Sequence, residues 1–380
     1  MVRTPSPLGR YGRRDRRRQP RFCLSKGLPA LAHDVRGAHR GVMTAVGSLA
    51  RPVSRDVLLR ATERALLAPS VHNTQPWKWR VCADAVELYS DQDRHLVGTD
   101  PDGRDLIISC GAALHHLRVA LAAAGVAVEV ARLPDPEDRT LMAVARIVDG
   151  PIDESAAALA GAISDRHSDR RAFAHEPAHP AQLRLLTDRA AAEDVRLIPV
   201  LSDEVRARLA AVLGEAARTE RSVPGYAAEL VLWSRRYPGS HDGLSANSRT
   251  LRGVGTDSVG LRRFPVGALR QVGQPLTAEP DGATLMVLTT AGDDPGDWLR
   301  AGEATSAALL VATRIGLATT VLSQAAEVAH TRRQLADVVL RVPEHAQLVL
   351  RVGHAPDGAA ALAPAPRRPL SAVLIRKPTR

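Results

Sequence analysis

The chain has 380 residues with 45% apolar content, a 3% aromatic share and a formal net charge of +10, enough to bury one large core or two modest ones. Ten arginines and one lysine in residues 1–42 face only Asp15 and Asp34, so that arm carries +9, leaving +1 for 43–380 and excluding a broadly basic nucleic-acid surface. The arm has no secretory apolar stretch, and charges such as Arg118 interrupt every apolar run of membrane length, so no membrane span and a cytoplasmic location are expected.

Rich in Arg, Pro and Gly and without hydrophobic periodicity, residues 1–42 are expected to be a disordered arm. Translation from Met43 is the alternative, and nucleic-acid binding through the arm is the least favoured function. Beyond it, Ser54 is an N-cap residue, and Val57, Leu58, Ala61, Ala65 and Leu66 recur at three- and four-residue steps. That pattern predicts a helix over 54–67, ended by Pro69. Trp77-Lys78-Trp79-Arg80-Val81 alternates as a half-buried strand does, over 77–82. Further helices are expected over 104–124, 181–193, 203–219 and 297–315, and strands over 126–132, 141–148, 195–201, 283–289, 317–322 and 346–353, which makes the fold class α+β. With so few aromatics, Trp77, Trp79, Trp233 and Trp298 are each expected to be structurally costly to remove. Segment 234–275, with seven glycines and no period, is too long for an ordinary connection and reads as a surface insertion or a lid.

Several chemistries find no support. Cys23, Cys82 and Cys110 form no C-x-x-C pair and are expected to be reduced thiols. No metal-ligand spacing is present, since the adjacent His115 and His116 should point to different sides of a helix. There is no G-x-S-x-G elbow and no phosphate-binding P-loop, and Gly253-Val254-Gly255 with Gly260 does not join a strand to a helix as a Rossmann unit would.

Three segments carry chemistry. Ala68-Pro69-Ser70-Val71-His72-Asn73-Thr74-Gln75-Pro76-Trp77 packs uncharged hydrogen-bonding side chains into a turn between a helix and a strand, which suits a polar planar ligand. Taken alone, it also reads as an Asx-type turn in which Asn73 satisfies its own backbone. Arg166-His167-Ser168-Asp169-Arg170-Arg171 sets three guanidinium groups and a hydroxyl within six positions, which suits a phosphate. Its plain alternative is a set of ion pairs with Asp165 and Asp169. Pro366-Arg367-Arg368-Pro369 is a third cationic piece, or a basic tail.

The turn resembles the flavin-binding turn of the nitroreductase fold, and is most similar to its Acg-type branch. The resemblance implies FMN as cofactor, with Ser70, Val71, His72, Asn73, Thr74 and Gln75 against the isoalloxazine edge and ribityl chain, and Asn73 and Gln75 holding the ring. Arg166, Ser168 and Arg170 match the family's Arg-x-Ser-x-Arg pattern, which holds ribityl and phosphate, and Arg367 and Arg368 resemble the basic element that completes the phosphate site. Gly316 and Leu317 would place backbone near the ring. No protein side chain is expected to be catalytic, because the flavin carries the chemistry.

These pieces stand in reverse order for that family, and an internal duplication would explain it. Gly111 to Gly125 and Gly302 to Gly316 are Ala-rich, helical by composition and bounded by glycines at one spacing. The expected architecture is a single-chain pseudo-dimer of halves 43–160 and 161–380. It would hold one composite flavin site and not require dimerisation for it. The resemblance implies hydride transfer from NAD(P)H to flavin N5 and on to a nitro- or quinone-like small-molecule acceptor. The rival expectation is a protein that stores or sequesters FMN beneath a lid formed by 234–275.

Overall fold

The computed structural model describes residues 53–237, 239–244 and 281–375. The basic arm, Met43, Cys23, the Gly253–Gly260 stretch and 245–275 of the suspected lid lie outside these residues.

In chain order the elements are α1 (Arg55–Ala65), β1 (Trp77–Val81), β2 (Ala85–Ser90), α2 (Arg104–Ala123), β3 (Val128–Arg132), β4 (Leu141–Ile147), and the single turns α3 (Glu154–Ala157) and α4 (Ala162–Asp165). Then come α5 (Pro180–Ala191), β5 (Arg196–Val200), α6 (Asp203–Ser222), α7 (Tyr226–Ser234), β6 (Thr284–Thr290), α8 (Pro295–Arg314) and β7 (Ala318–Leu322). The short α9 (Gln324–Glu327) and α10 (Ala329–Gln334), β8 (His345–Gly353) and the turn α11 (Leu370–Val373) complete the chain.

The strands form two four-stranded antiparallel sheets, ordered β1-β2-β4-β3 and β5-β6-β8-β7. Counted from the first strand of each, the two orders are the same. Each sheet also shifts register at one matching place, between Leu88 and Tyr89 in β2 and between Leu288 and Thr289 in β6.

Periodicity accounts for the elements it predicted. Ser54 Oγ accepts from Val57 N at 3.4 Å and opens α1, whose Leu58, Ala61 and Ala65 face the first core. Trp77 and Trp79 point the same way from β1 and are fully buried there. β2 escaped prediction because Glu87 breaks its apolar pattern. That carboxylate is buried against the Arg80 guanidinium at 2.8 Å and the Tyr89 hydroxyl at 2.7 Å. α7 was also missed, and only Val223, Pro224 and Gly225, the last at φ 87°, separate it from α6.

The long helices α2 and α8 cross at the centre, and their glycines correct one expectation. Gly111 and Gly302 do not bound these helices; they lie within them, facing each other. A Cβ on Gly111 would overlap the Leu299 carbonyl and stand 3.0 Å from Gly302 Cα, while one on Gly302 would overlap the Ile108 carbonyl and stand 2.8 Å from Gly111 Cα. Gly125 and Gly316, both at positive φ, follow the helix ends as expected.

Two other expectations are corrected here. α2 is by length and composition apolar enough to cross a membrane, despite Arg118. It is the buried core helix, and Arg118 is matched by Glu193 at 2.6 Å and Glu303 at 2.9 Å, the latter also held by Arg132 at 2.6 Å. His115 and His116 do not diverge. Both Nδ1 atoms reach Ser306 Oγ on α8 at 2.8 Å, because that helix packs between the two directions in which adjacent residues point. Burial pushes the pKa of both imidazoles well below the usual histidine range.

Candidate functional site

The site grows from the end of α1. Ala68 N returns to Ala65 O, and Pro69 prevents another helical turn. His72, Asn73 and Gln75 then take φ values of 46°, 56° and 51°. Three non-glycine residues in the left-handed region make a costly turn, held by its surroundings. Ser70 Oγ accepts from Gln75 N at 2.9 Å, and Ser109 Oγ on α2 accepts from Val71 N at 3.1 Å.

The turn is clamped from two distant segments. Asn73 Nδ2 donates to the carbonyls of Gly243 and Pro366, both at 3.0 Å, and its Oδ1 accepts from Arg367 Nη1 at 3.0 Å. Gln75 Nε2 donates to His241 O at 2.9 Å, and its Oε1 accepts from Arg368 N at 2.8 Å. Both amides are therefore engaged with other segments of the protein. Asn73 does not close an Asx turn on itself. Arg94 supports the same corner, donating to Thr74 O at 2.6 Å and pairing with Asp242 at 2.8 Å. Burial works against the Asp242 carboxylate, but hydrogen bonds from Arg236, Ser240 and Arg94 hold its pKa at about 2.

The arginine segment runs beside β7, where Asp169 N donates to Thr319 O at 2.8 Å and Ser168 bridges to Thr319. Its three guanidinium groups separate. Arg171 is paired with Asp169 at 2.6 Å, as the ion-pair alternative foresaw. Arg170 lines the cavities described below. Arg166 is buried, and its Nε and Nη1 have no hydrogen-bond partner among the described residues. Arg367 Nε is in the same condition. Burial alone lowers the Arg166 pKa to about 10, and burial together with the Arg166 charge lowers that of Arg367 to about 9. Among the described residues no carboxylate pairs with either, and an unpaired buried cation is costly. Arg368 turns the other way, to Gln75 O at 3.1 Å and Asp91 at 3.4 Å.

Two connecting cavities share Pro69, Ser70, Ser168 and Arg170. The outer one, of about 470 Å³, is lined by Arg166, Arg367, Asn73, Gly243 and the 360–365 segment, within the size range of small-molecule sites. The inner one, of about 100 Å³, is lined by Val71, His72, Asp105, Ser109, Thr305 and residues 320–324.

Of the residues named from sequence, Ser70, Val71, His72, Asn73, Arg166, Ser168, Arg170 and Arg367 line these cavities, whereas Thr74, Gln75, Gly316, Leu317 and Arg368 line neither. Gly316 and Leu317 instead close the end of α8, Leu317 N donating to Ala312 O. Sequence reasoning missed Asp105, Ser109, Thr305, Ser323 and Gln324. The available signal was polarity on otherwise apolar helices: Asp105, Ile108, Ser109 and Ala112 fall on one face of α2.

Deep in this wall, burial raises the pKa of the Asp100 carboxyl to about 7, and burial with the nearby Glu327 and Asp100 charges raises that of Asp105 well above the carboxylate range. A carboxyl that binds its proton more tightly when folded stabilises the protein below its unfolded pKa and loses that contribution as pH rises through the folded value. The buried histidines act with opposite sign below their ordinary pKa, so the useful quantity is a difference. Relative to Asp100→Asn, wild-type melting temperature is expected to fall by on the order of a few degrees between pH 4 and pH 8. A pH-independent difference in thermal scans would remove the Asp100 assignment.

No family model matches the chain. Among curated proteins, "Putative NAD(P)H nitroreductase Rv3131" of Mycobacterium tuberculosis is 42% identical over 310 residues, covering 82% of this chain and 88% of its own length. "Putative NAD(P)H nitroreductase acg" of the same organism is 37% identical over 327 residues, covering 84% and 96%. Among solved structures, a nitroreductase with bound FMN from Desulfitobacterium hafniense aligns with 56% of this chain and 93% of its own at a TM-score of 0.35 and 14% identity.

Proposed function

The chain belongs to the NAD(P)H nitroreductase family, in its acg-like branch, and from that premise we propose that it binds FMN and works as a flavin oxidoreductase. The carrying observation is that Arg166, buried, and Arg367, partly buried, line the outer cavity, with Nε and Nη1 of the first and Nε of the second unpartnered among the described residues. A terminal phosphate, with about −1.5 to −2 charges near neutral pH, fits that donor set. Ser168 and Arg170, which line both cavities, would hold the ribityl chain, and Ser70, Val71 and His72 would border the ring from the strained turn. Asn73, Gln75 and Arg368 would act through the turn, by fixing its shape. When bound, the flavin supplies two-electron hydride transfer through N5, from NAD(P)H to a nitro- or quinone-like small molecule.

We further read the chain as a diverged internal duplicate, with halves 43–160 and 161–380. Support comes from the repeated strand order, the paired register shifts and the reciprocal glycine contact of α2 with α8. On this reading a single chain assembles its flavin site from the turn of one half and the arginines of the other.

A storing or sequestering role is the second reading. It is favoured by the packing of residues 241–244 on the turn, where Gly243 N donates to Asn73 O and Gly243 and Leu244 line the outer cavity. Visible spectroscopy of the purified protein tests both. Flavin bands that bleach on anaerobic NADH or NADPH are the expected result. Bands that bleach only with dithionite would favour storage, and no bands after incubation with FMN would remove the flavin assignment.

A further inference from the structure

A buried charge on β8 is left unexplained by the core around it. From Ala346 to Gly353 the strand is buried, and Arg351 is its one charged residue there. Its partner is the carboxylate of Asp281. One oxygen accepts from Arg351 Nη2 at 2.5 Å and Nε at 2.9 Å, and the other from Phe173 N at 3.0 Å and Ala283 N at 3.2 Å. With four donors aimed at it, the carboxylate is ionised and fixed in direction. Arg206 on α6 holds the same corner, donating to Ala283 O at 2.6 Å and Asp281 O at 3.3 Å. For packing alone an apolar pair would serve at least as well, since desolvation offsets most of the attraction between two buried charges.

What the guanidinium adds is a set of donors aimed at the arginine segment. Nη2 also donates to Arg171 O at 2.9 Å, and Nη1 approaches Asp169 O at 3.5 Å. The Thr320 hydroxyl on β7 donates to Asp169 O as well. The guanidinium carbon stacks 3.7 Å from the Phe173 ring centroid. Gly353 makes room for that ring, since a Cβ there would stand 2.8 Å from Phe173 Cδ2. Asp169 and Arg171 are thus held through their carbonyls, and their side chains pair with each other at 2.6 Å. Arg170, the residue between them, lines both cavities.

We propose that Arg351, aimed by Asp281, is a positioning residue for the flavin site: by holding the carbonyls of Asp169 and Arg171 it fixes where Arg170 enters the cavity wall. The inference rests on the flavin reading above and deepens it, naming what sets the geometry of the segment that meets the ribityl chain and phosphate. Arg351 is fully buried and lines neither cavity. Its effect on affinity therefore passes through the segment it holds. A cationic side chain on an unbraced backbone has to be ordered when the ligand binds, whereas one already in place does not.

The test is FMN affinity of the full chain, measured by flavin titration around a thermodynamic cycle. One arm is Arg351→Met combined with Asp281→Asn, which removes both charges together and keeps an amide oxygen for Phe173 N and Ala283 N. The other is Arg170→Met. The paired change is expected to weaken FMN binding about tenfold. Placed on top of Arg170→Met it is expected to add little to the loss from Arg170→Met alone, because residues that act as one unit are not additive. Arg351→Lys keeps a charge beside Asp281 without the fork, so it guards against a failure to fold and should show the same coupling with a smaller loss. Thermal unfolding of the flavin-free proteins identifies the folded variants. In those, unchanged FMN affinity, or a loss that adds in full to that of Arg170→Met as general loosening of the core would, overturns the positioning role and leaves the flavin reading standing. Failure of the wild type to take up FMN would instead overturn the flavin reading, and the positioning role with it.

Discussion

Arg166→Met is expected to weaken FMN binding by on the order of a hundredfold while making the flavin-free protein more stable. The opposite signs follow from one feature. Arg166 is buried, its Nε and Nη1 have no partner among the described residues, and burial alone draws its pKa down to about 10. A bound phosphate would satisfy the fork through charge-assisted bonds of roughly 1.5 to 3 kcal/mol each, so losing two costs at least about 3 kcal/mol of affinity. Without flavin, the same guanidinium is a desolvated charge with nothing to offset it. An apolar side chain of similar length removes that cost, by about 1 kcal/mol or more. Arg367→Met should behave likewise but less cleanly, because Arg367 also donates to Asn73 Oδ1 and to Leu67 O. Flavin titration and thermal unfolding, with and without FMN, read both effects. Unchanged affinity would remove Arg166 from the phosphate site, and lowered flavin-free stability would show that its charge is compensated.

Gly302→Ala and Gly111→Ala should each destabilise the protein by about 3 kcal/mol or more. The added methyl would meet backbone across the α2–α8 crossing, the Ile108 carbonyl in one case and the Leu299 carbonyl in the other. Carbonyls cannot swing aside as a side-chain tip does, so the two helices must separate. Overpacking a tight core typically costs 1 to 3 kcal/mol, at times more. Here the separation would also disturb His115, His116 and Ser306, and the inner cavity walled by Asp105 and Ser109 on one helix and Thr305 on the other. Against a total stability of about 5 to 15 kcal/mol, the loss is large. Chemical denaturation would measure it. Gly125→Ala is the comparison: its φ of 74° makes it strained, yet nothing lies within 4 Å of an added Cβ. That change should cost only about 1 kcal/mol. Equal losses at all three glycines would mean that backbone conformation, and not helix approach, sets their importance.

Periodicity, capping and turn chemistry were legible in the chain because each depends on residues a few positions apart. Ser54, the alternating tryptophans of β1 and the glycines after α2 and α8 were all read this way. Where a long-range partner reversed a local preference, the reading failed. Glu87 hid β2 until Arg80 and Tyr89 were seen around it, and His115 and His116 converge only because α8 lies between them.

The same division holds at the site. By itself, the sequence determined that a polar turn follows α1, that a cluster of arginines lies at 166–171 and that a basic pair lies at 367–368. Residue type and spacing carry hydrogen-bonding capacity and charge directly. Which arginine is left for a ligand was decided only by tertiary structure. Asp169 takes Arg171, Gln75 and Asp91 take Arg368, and among the described residues no carboxylate takes Arg166 or Arg367. The hydrogen bonds of Asn73 and Gln75 were likewise decided by packing, since their amides reach segments far along the chain, Arg367 lying 294 positions from Asn73. A side chain's chemistry is local, but its availability depends on which groups packing brings within hydrogen-bonding distance and how much water it removes.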